Sequence, residues 1–103
     1  MRKIIEGKVY DTKTAEHVGE YSNNLGRGDF RYVSEDLYRT KKGTFFLAGE
    51  GGAMSKYAES NGNESYGSSN LNLLTEEEAR VWCEQHQDDL LVPYESLFDV
   101  EEG

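Results

Sequence analysis

Short apolar runs, separated by turn chemistry, occupy the first three quarters of the chain. Lys3 to Tyr10 (KIIEGKVY) reads as a hairpin or a bent strand with Gly7 at the turn or bulge. Asp11 to Ala15 reads as a turn or one helical turn, because Asp and Thr side chains offer oxygens to free backbone amides. His17 to Ser22 reads as a second strand, and Ser22 to Asp29, with two Asn and two Gly, as a loop. Phe30, Tyr32 and Leu37 to Thr40 flank Ser34-Glu35-Asp36, which predicts strand, bulge, strand. Lys42-Gly43 predicts a tight turn into a partner strand, Thr44 to Ala48. The four consecutive apolar residues from Phe45 suggest that this strand is central and partly covered on both faces.

That run ends in Gly49-Glu50-Gly51-Gly52. A phosphate-binding loop would need Gly-x-x-x-x-Gly-Lys-[Ser/Thr], and here Lys56 follows Ser55 while Glu50 sets a negative charge among the amides. The dinucleotide pattern Gly-x-Gly-x-x-Gly also fails, since its last position is Met54. The glycines are expected to permit positive φ where the strand ends and turns. Met54, Tyr57 and Ala58 would then form one helical turn on the sheet. Residues 60–70 (SNGNESYGSSN) read as a flexible loop or an exposed hairpin tip, and Leu71 to Leu74 as a last short strand.

The periodicity then changes. Thr75-Glu76-Glu77-Glu78 is a capping box, with three glutamates complementing the positive end of a helix dipole. Ala79, Trp82, Cys83 and His86 fall at i, i+3, i+4 and i+7, one face of a helix ending near Gln87-Asp88. Pro93 starts a new element, with Tyr94 to Phe98 as a short final helix. The pattern predicts an α+β fold: a small antiparallel β-sheet with a C-terminal helix packed on one face. It predicts one domain over residues 1–103, with 1–74 mostly β and 75–103 an acidic helical part.

Composition sharpens this picture. Only 36% of the 103 residues are apolar, and seven Tyr, four Phe and one Trp must supply much of the core. The formal charge of −9 is uneven. Residues 1–42 hold nine Lys/Arg and seven Asp/Glu, whereas residues 43–103 hold two against thirteen. Such asymmetry speaks of partners: the acidic half should repel nucleic acid and attract basic protein surfaces. Its ordinary role, solubility, stands beside that reading. No apolar stretch is long enough for a signal-peptide core or a membrane span, so no membrane partner and a cytoplasmic location are expected.

Catalytic and metal chemistry find little purchase in the pattern. Cys83 and His86 share a helical face, but that face is the apolar one and no third, orienting group is evident. His17 and His86 are far apart in sequence, Cys83 is the only cysteine, and there is no calcium-loop motif. No enzyme activity, cofactor or metal is therefore expected. Two binding surfaces remain. Glu76, Glu77, Glu84, Asp88 and Asp89, with Glu50, offer carboxylates whose spacing can mimic a row of phosphates for a basic protein partner. Arg27, Arg31, Arg39 and Lys42, near Phe30, Tyr32 and Tyr38, are the candidate contacts for RNA or DNA, since aromatics between cations on a sheet stack bases.

Several stretches carry a resemblance: Gly7-Lys8-Val9-Tyr10-Asp11-Thr12, Thr14-Ala15-Glu16, Leu37 to Gly43, Phe45-Phe46-Leu47 with Gly49-Glu50-Gly51-Gly52, Ser55-Lys56-Tyr57-Ala58 and Leu74 to Ala79. Together they resemble small proteins of phages, plasmids and conjugative elements of Gram-positive bacteria, some of which look like type II-A anti-CRISPR proteins. The resemblance implies a protein that inhibits the RNA-guided nuclease Cas9. An acidic surface would enter one of its Arg- and Lys-lined channels and block guide RNA or target DNA engagement. It carries over no catalytic residues. The alternative is a small nucleic-acid-binding or regulatory module of a mobile element.

Overall fold

A computed structural model describes all residues, 1–103. Its centre is a four-stranded antiparallel sheet in the order β3-β4-β5-β8, formed by β3 (Glu16–Ser22), β4 (Val33–Arg39), β5 (Phe45–Gly51) and β8 (Ser68–Leu74). Two hairpins flank it: β1 (Arg2–Ile5) with β2 (Lys8–Asp11), and β6 (Glu59–Asn61) with β7 (Glu64–Tyr66). One helix, α1 (Glu76–Gln85), follows β8, and two short 3₁₀ turns at Gln87–Asp89 and Tyr94–Ser96 complete the chain. The fold is α+β with α1 packed on one face of the sheet, as the periodicities predict.

The two faces are covered differently. Val18, Leu37, Phe45 and Leu47 face α1 and pack on Ala79, Trp82, Cys83 and Phe98. On the other face, Phe46 and Leu71 lie beneath Tyr10 of the first hairpin, with Tyr10 edge-on to Phe46 at 5.8 Å. That hairpin covers only part of its face. Glu6 and Gly7 both take positive φ, 51° and 76°, at its turn, the geometry that matches the twist of a tight hairpin. The Thr75–Glu78 capping box forms in both directions, 3.1 and 2.9 Å, so α1 begins where its sequence says.

Three local expectations need correction. β4 is unbroken from Val33 to Arg39, and Phe30 to Tyr32 lie in the turn before it. The bulge lies instead in β3, between His17 and Gly19. Finally, β5 runs through Gly49 to Gly51, and neither these glycines nor Gly52 takes positive φ. Close approach, described below, is what requires them.

The outer edge of β3 is closed by the segment after α1: Gly19 bridges to Leu90, and Leu91 N–H donates to the Val18 carbonyl at 2.8 Å. This strap also holds the acidic C-terminal part against the sheet.

Candidate functional site

Strand alternation sends Glu35 to the helix face, between Val33 and Leu37 in parity, and Asp36 to the opposite face. Glu35 is 2% exposed. A bare carboxylate there would be very unfavourable, so its partners matter. Lys56 Nζ lies 2.6 Å away, the Tyr57 hydroxyl donates a short hydrogen bond, and Trp82 Nε1–H donates at 3.3 Å. Burial pushes the Glu35 carboxyl up, but Lys56, then Tyr57 and Trp82, outweigh it and hold the pKa below its ordinary value. Burial pushes the Tyr57 hydroxyl strongly upward, and its hydrogen bond to the negative Glu35 carboxylate adds to the rise, so it stays protonated and donating.

The glycine stretch makes this arrangement fit. Gly49 pairs with Glu35 across β4–β5, and Tyr57 lies over it: a Cβ at Gly49 would sit 2.0 Å from the Tyr57 ring. At Gly51 a Cβ would meet Ser55 Oγ at 2.2 Å. At Gly52 it would meet the carbonyl of Asp29 at 2.6 Å. The chain therefore folds back over the end of β5 at van der Waals distance, and Ser55, Lys56 and Tyr57 are set against the sheet. This is a packing device that seals a buried ion pair, and phosphate chemistry plays no part in it.

His86 closes the cluster from the helix side, 4.3 Å from the Tyr21 ring and 4.6 Å from Trp82. Burial lowers its pKa, which favours the neutral imidazole. Cys83 is fully buried, and burial, with the Glu84 charge, pushes its thiol up to about 11. A thiol in that state supplies almost no thiolate at neutral pH.

The acidic residues fall into two places. Glu76, Glu77, Glu84 and Asp88 are exposed on α1 and the turn after it, with Asp89 half-buried 3.9 Å from His86. Glu77 pairs with Arg80 at 2.5 Å, and Glu84 accepts from the Tyr94 hydroxyl at 3.2 Å. Between α1 and the C-terminal segment runs a groove of about 380 Å³, whose lining includes Glu84, Glu95, Asp99, Glu101 and Arg80. Glu50 is not part of this surface. It projects from the other face of the sheet, taking Arg27 at 2.8 Å and the Tyr32 hydroxyl at 2.7 Å.

The basic residues are also divided. Arg39 makes a two-nitrogen contact with Glu16, at 3.0 and 2.7 Å, and Arg27 is held by Glu50. Arg31 and Lys42 are exposed and have no ion pair, but they lie beyond opposite ends of β4, a span of roughly 20 Å. Tyr38 is stacked between His17 and Phe46. A continuous stacking platform flanked by cations is not formed.

One further group carries no paired-histidine or cysteine motif in the sequence. Ligating atoms of His17, Glu20 and Asp36 lie within 4.8 Å of one another on the open sheet face. His17 Nε2 and Asp36 Oδ1 are 2.9 Å apart. The buried Glu35 network is likewise unannounced by any motif. Its one sequence signal was a glutamate sharing strand parity with Val33 and Leu37, a signal lost when Ser34-Glu35-Asp36 is read as a bulge.

No protein-family model, curated protein or solved structure matches the chain. No helix is long and apolar enough to cross a membrane.

Proposed function

We propose that the protein is a non-enzymatic binding protein that docks its acidic C-terminal surface on the basic channel of a nucleic-acid-handling protein, with type II-A Cas9 the first partner to test. One observation carries this reading. From Glu76 to Glu102 ten carboxylates stand against a single cation, Arg80, and four of them line the groove beside α1. Arg80 is held by Glu77, and the only other cation after residue 43, Lys56, is committed to Glu35. The surface therefore keeps most of its negative charge unneutralised. A groove of this kind takes Lys or Arg side chains, and its long-range field speeds encounter with a basic surface.

The resemblance of the Leu37–Gly43, Phe45–Gly52 and Leu74–Ala79 stretches to mobile-element proteins supports Cas9 in particular. Its guide–target channel is lined by Arg and Lys. The nucleic-acid alternative has weaker support, because Arg27 and Arg39 are already neutralised by Glu50 and Glu16.

The test is to mix the purified protein with type II-A Cas9, with and without guide RNA, and follow co-elution and DNA cleavage over a salt series. Co-elution with lost cleavage, weakening as salt rises, is expected. Reversing Glu76, Glu77 and Glu84 to Lys should abolish both effects, while Arg31→Gln with Lys42→Gln should leave them intact. Normal cleavage and no co-elution with several orthologues would end the Cas9 reading.

A further inference from the structure

The alternation of a strand places residues i and i+3 on opposite faces. His17 and Glu20 nevertheless share one face, because the bulge between His17 and Gly19 inserts one residue and inverts the parity of what precedes it. Val18, the inserted residue, turns into the core and is fully buried. The bulge thus re-aims His17 at Asp36 on the neighbouring strand, a use of bulges that is frequent beside functional sites. Glu20 pairs with Asp36 across β3–β4, and Tyr38, opposite His17, stacks on its ring at 4.7 Å and 14°. The imidazole is therefore held in one plane, and both carboxylates come from a hydrogen-bonded ladder.

The charge at this place is unbalanced. Neither Glu20 nor Asp36 forms an ion pair with any Lys or Arg, and His17 is the only basic group Asp36 meets. Glu20 lies directly across the strand pair from Asp36, and Glu50 stands on the same face one strand further on. Glu50, across β5, has Arg27, but no cation reaches the other two. A cation seated among these groups would relieve that crowding.

We propose that the open sheet face is a binding site for one first-row divalent transition-metal ion, Zn²⁺ being the probe of choice, held by His17 Nε2 and one carboxylate oxygen each from Asp36 and Glu20. The present 2.9 Å between His17 Nε2 and Asp36 Oδ1 is close to the roughly 3.3 Å that separates two ligands about 2.0–2.1 Å from a tetrahedral ion. The ion takes the place of the hydrogen bond that now joins them. Glu20 is exposed, so rotation of its side chain closes the remaining distance, and water completes the sphere. An imidazole nitrogen with two carboxylates selects Zn²⁺ and its neighbours over Mg²⁺ and Ca²⁺, which prefer all-oxygen shells. This site is on the face away from α1 and stands independently of the partner proposed above.

The experiment is a calorimetric titration of the metal-free full chain with Zn²⁺, repeated with Mg²⁺. One saturable Zn²⁺ equivalent is expected, with Mg²⁺ failing to compete. His17→Ala, Glu20→Gln and Asp36→Asn should each weaken it by at least the roughly 10–100-fold seen when even an outer-shell partner of a metal is lost. Glu76→Gln with Glu77→Gln should leave it unchanged, which separates a site from diffuse attraction to an acidic protein. Zn²⁺ should also move the imidazole NMR signals of His17 and not those of His86, a readout that needs no variant. Zn²⁺ binding that is unsaturable, unaffected by His17→Ala or lost with the Glu76/Glu77 pair would overturn the proposal.

Discussion

Glu35 and Asp36 are neighbours in sequence, carry the same charge and sit on the same strand, yet the fold treats them oppositely. Glu35 faces α1, is sealed from water, and receives Lys56, Tyr57 and Trp82. Asp36 faces the open side, is one-third exposed, and receives only His17. The better-buried carboxyl is the one held below its ordinary pKa, and the more exposed one is raised. Burial alone would give the reverse ranking. What decides is the number of donors delivered to each: three beside Glu35, one beside Asp36 with further negative charge around it. One face of the sheet has been completed by the protein's own side chains, and the other has not.

Removing the Glu35 carboxylate should cost the fold most. Glu35→Ala leaves the Tyr57 hydroxyl and the Trp82 N–H without their acceptor inside the core, while Lys56, 61% exposed, returns to water. The expected loss is about 3 kcal/mol, read by urea unfolding. Next in size is Gly49→Ala, whose Cβ would overlap the Tyr57 ring. It should lose about 2 kcal/mol. In a Tyr57→Ala background the same change should be far milder, because the ring it strikes has gone, and this non-additivity is the measurement that identifies close approach as the reason for the glycine. Equal losses in both backgrounds would refute that account.

The sheet faces also show how far a sequence can be read. The capping box, the Trp82-bearing helix face and the hairpin turns are local features, and each stands where the pattern put it. The Glu35 network is non-local: Lys56 and Tyr57 reach it by folding back over β5, and Trp82 comes from 47 positions away. The glycines that allow this looked like a strand end, because a Cβ-free surface and a positive φ leave the same mark in a sequence. His17, Glu20 and Asp36 were hidden for a related reason. Spacing three along a strand argues against a shared face, and only the unannounced bulge at Val18 reverses it. The acidic surface was legible as composition, but pairing assigned Glu50 to the other side of the sheet. The same pairing removed Arg27 and Arg39 from the set of free cations.

Acid should reveal the Glu35 contribution without mutation. Its folded pKa is below the unfolded value of 4.5, so its contribution is complete above that pH and is lost as pH falls through the folded value. His86, lowered from 6.5, acts in the same direction at higher pH: the neutral ring is favoured, and stability falls as protonation is forced below that value. A plot of urea midpoint against pH for the wild type should therefore decline in two steps. Glu35→Gln should flatten the step below pH 4.5 and retain the one near pH 6.5. Parallel curves for the two proteins down to pH 3 would mean that another carboxylate governs the acid limb.

The smallest expected effect is at Asp36. A carboxyl whose folded pKa is raised resists ionisation in the folded state, so above that pKa its charge works against folding. Asp36→Asn keeps the shape, removes that charge from beside Glu20 and Glu50, and still offers an amide to His17. Because the side chain is 34% exposed, water screens most of the effect, and the gain at pH 7 should be roughly 0.3 kcal/mol. The difference should vanish in acid, where the wild-type carboxyl is protonated as well. The sign carries the inference: Glu35→Gln must destabilise at pH 7 and Asp36→Asn must not, although both replace a carboxylate by its amide one residue apart. If Asp36→Asn instead costs more than 1 kcal/mol in metal-free buffer, the His17–Asp36 pair is a structural bond in its own right, and the open face is as complete as the closed one.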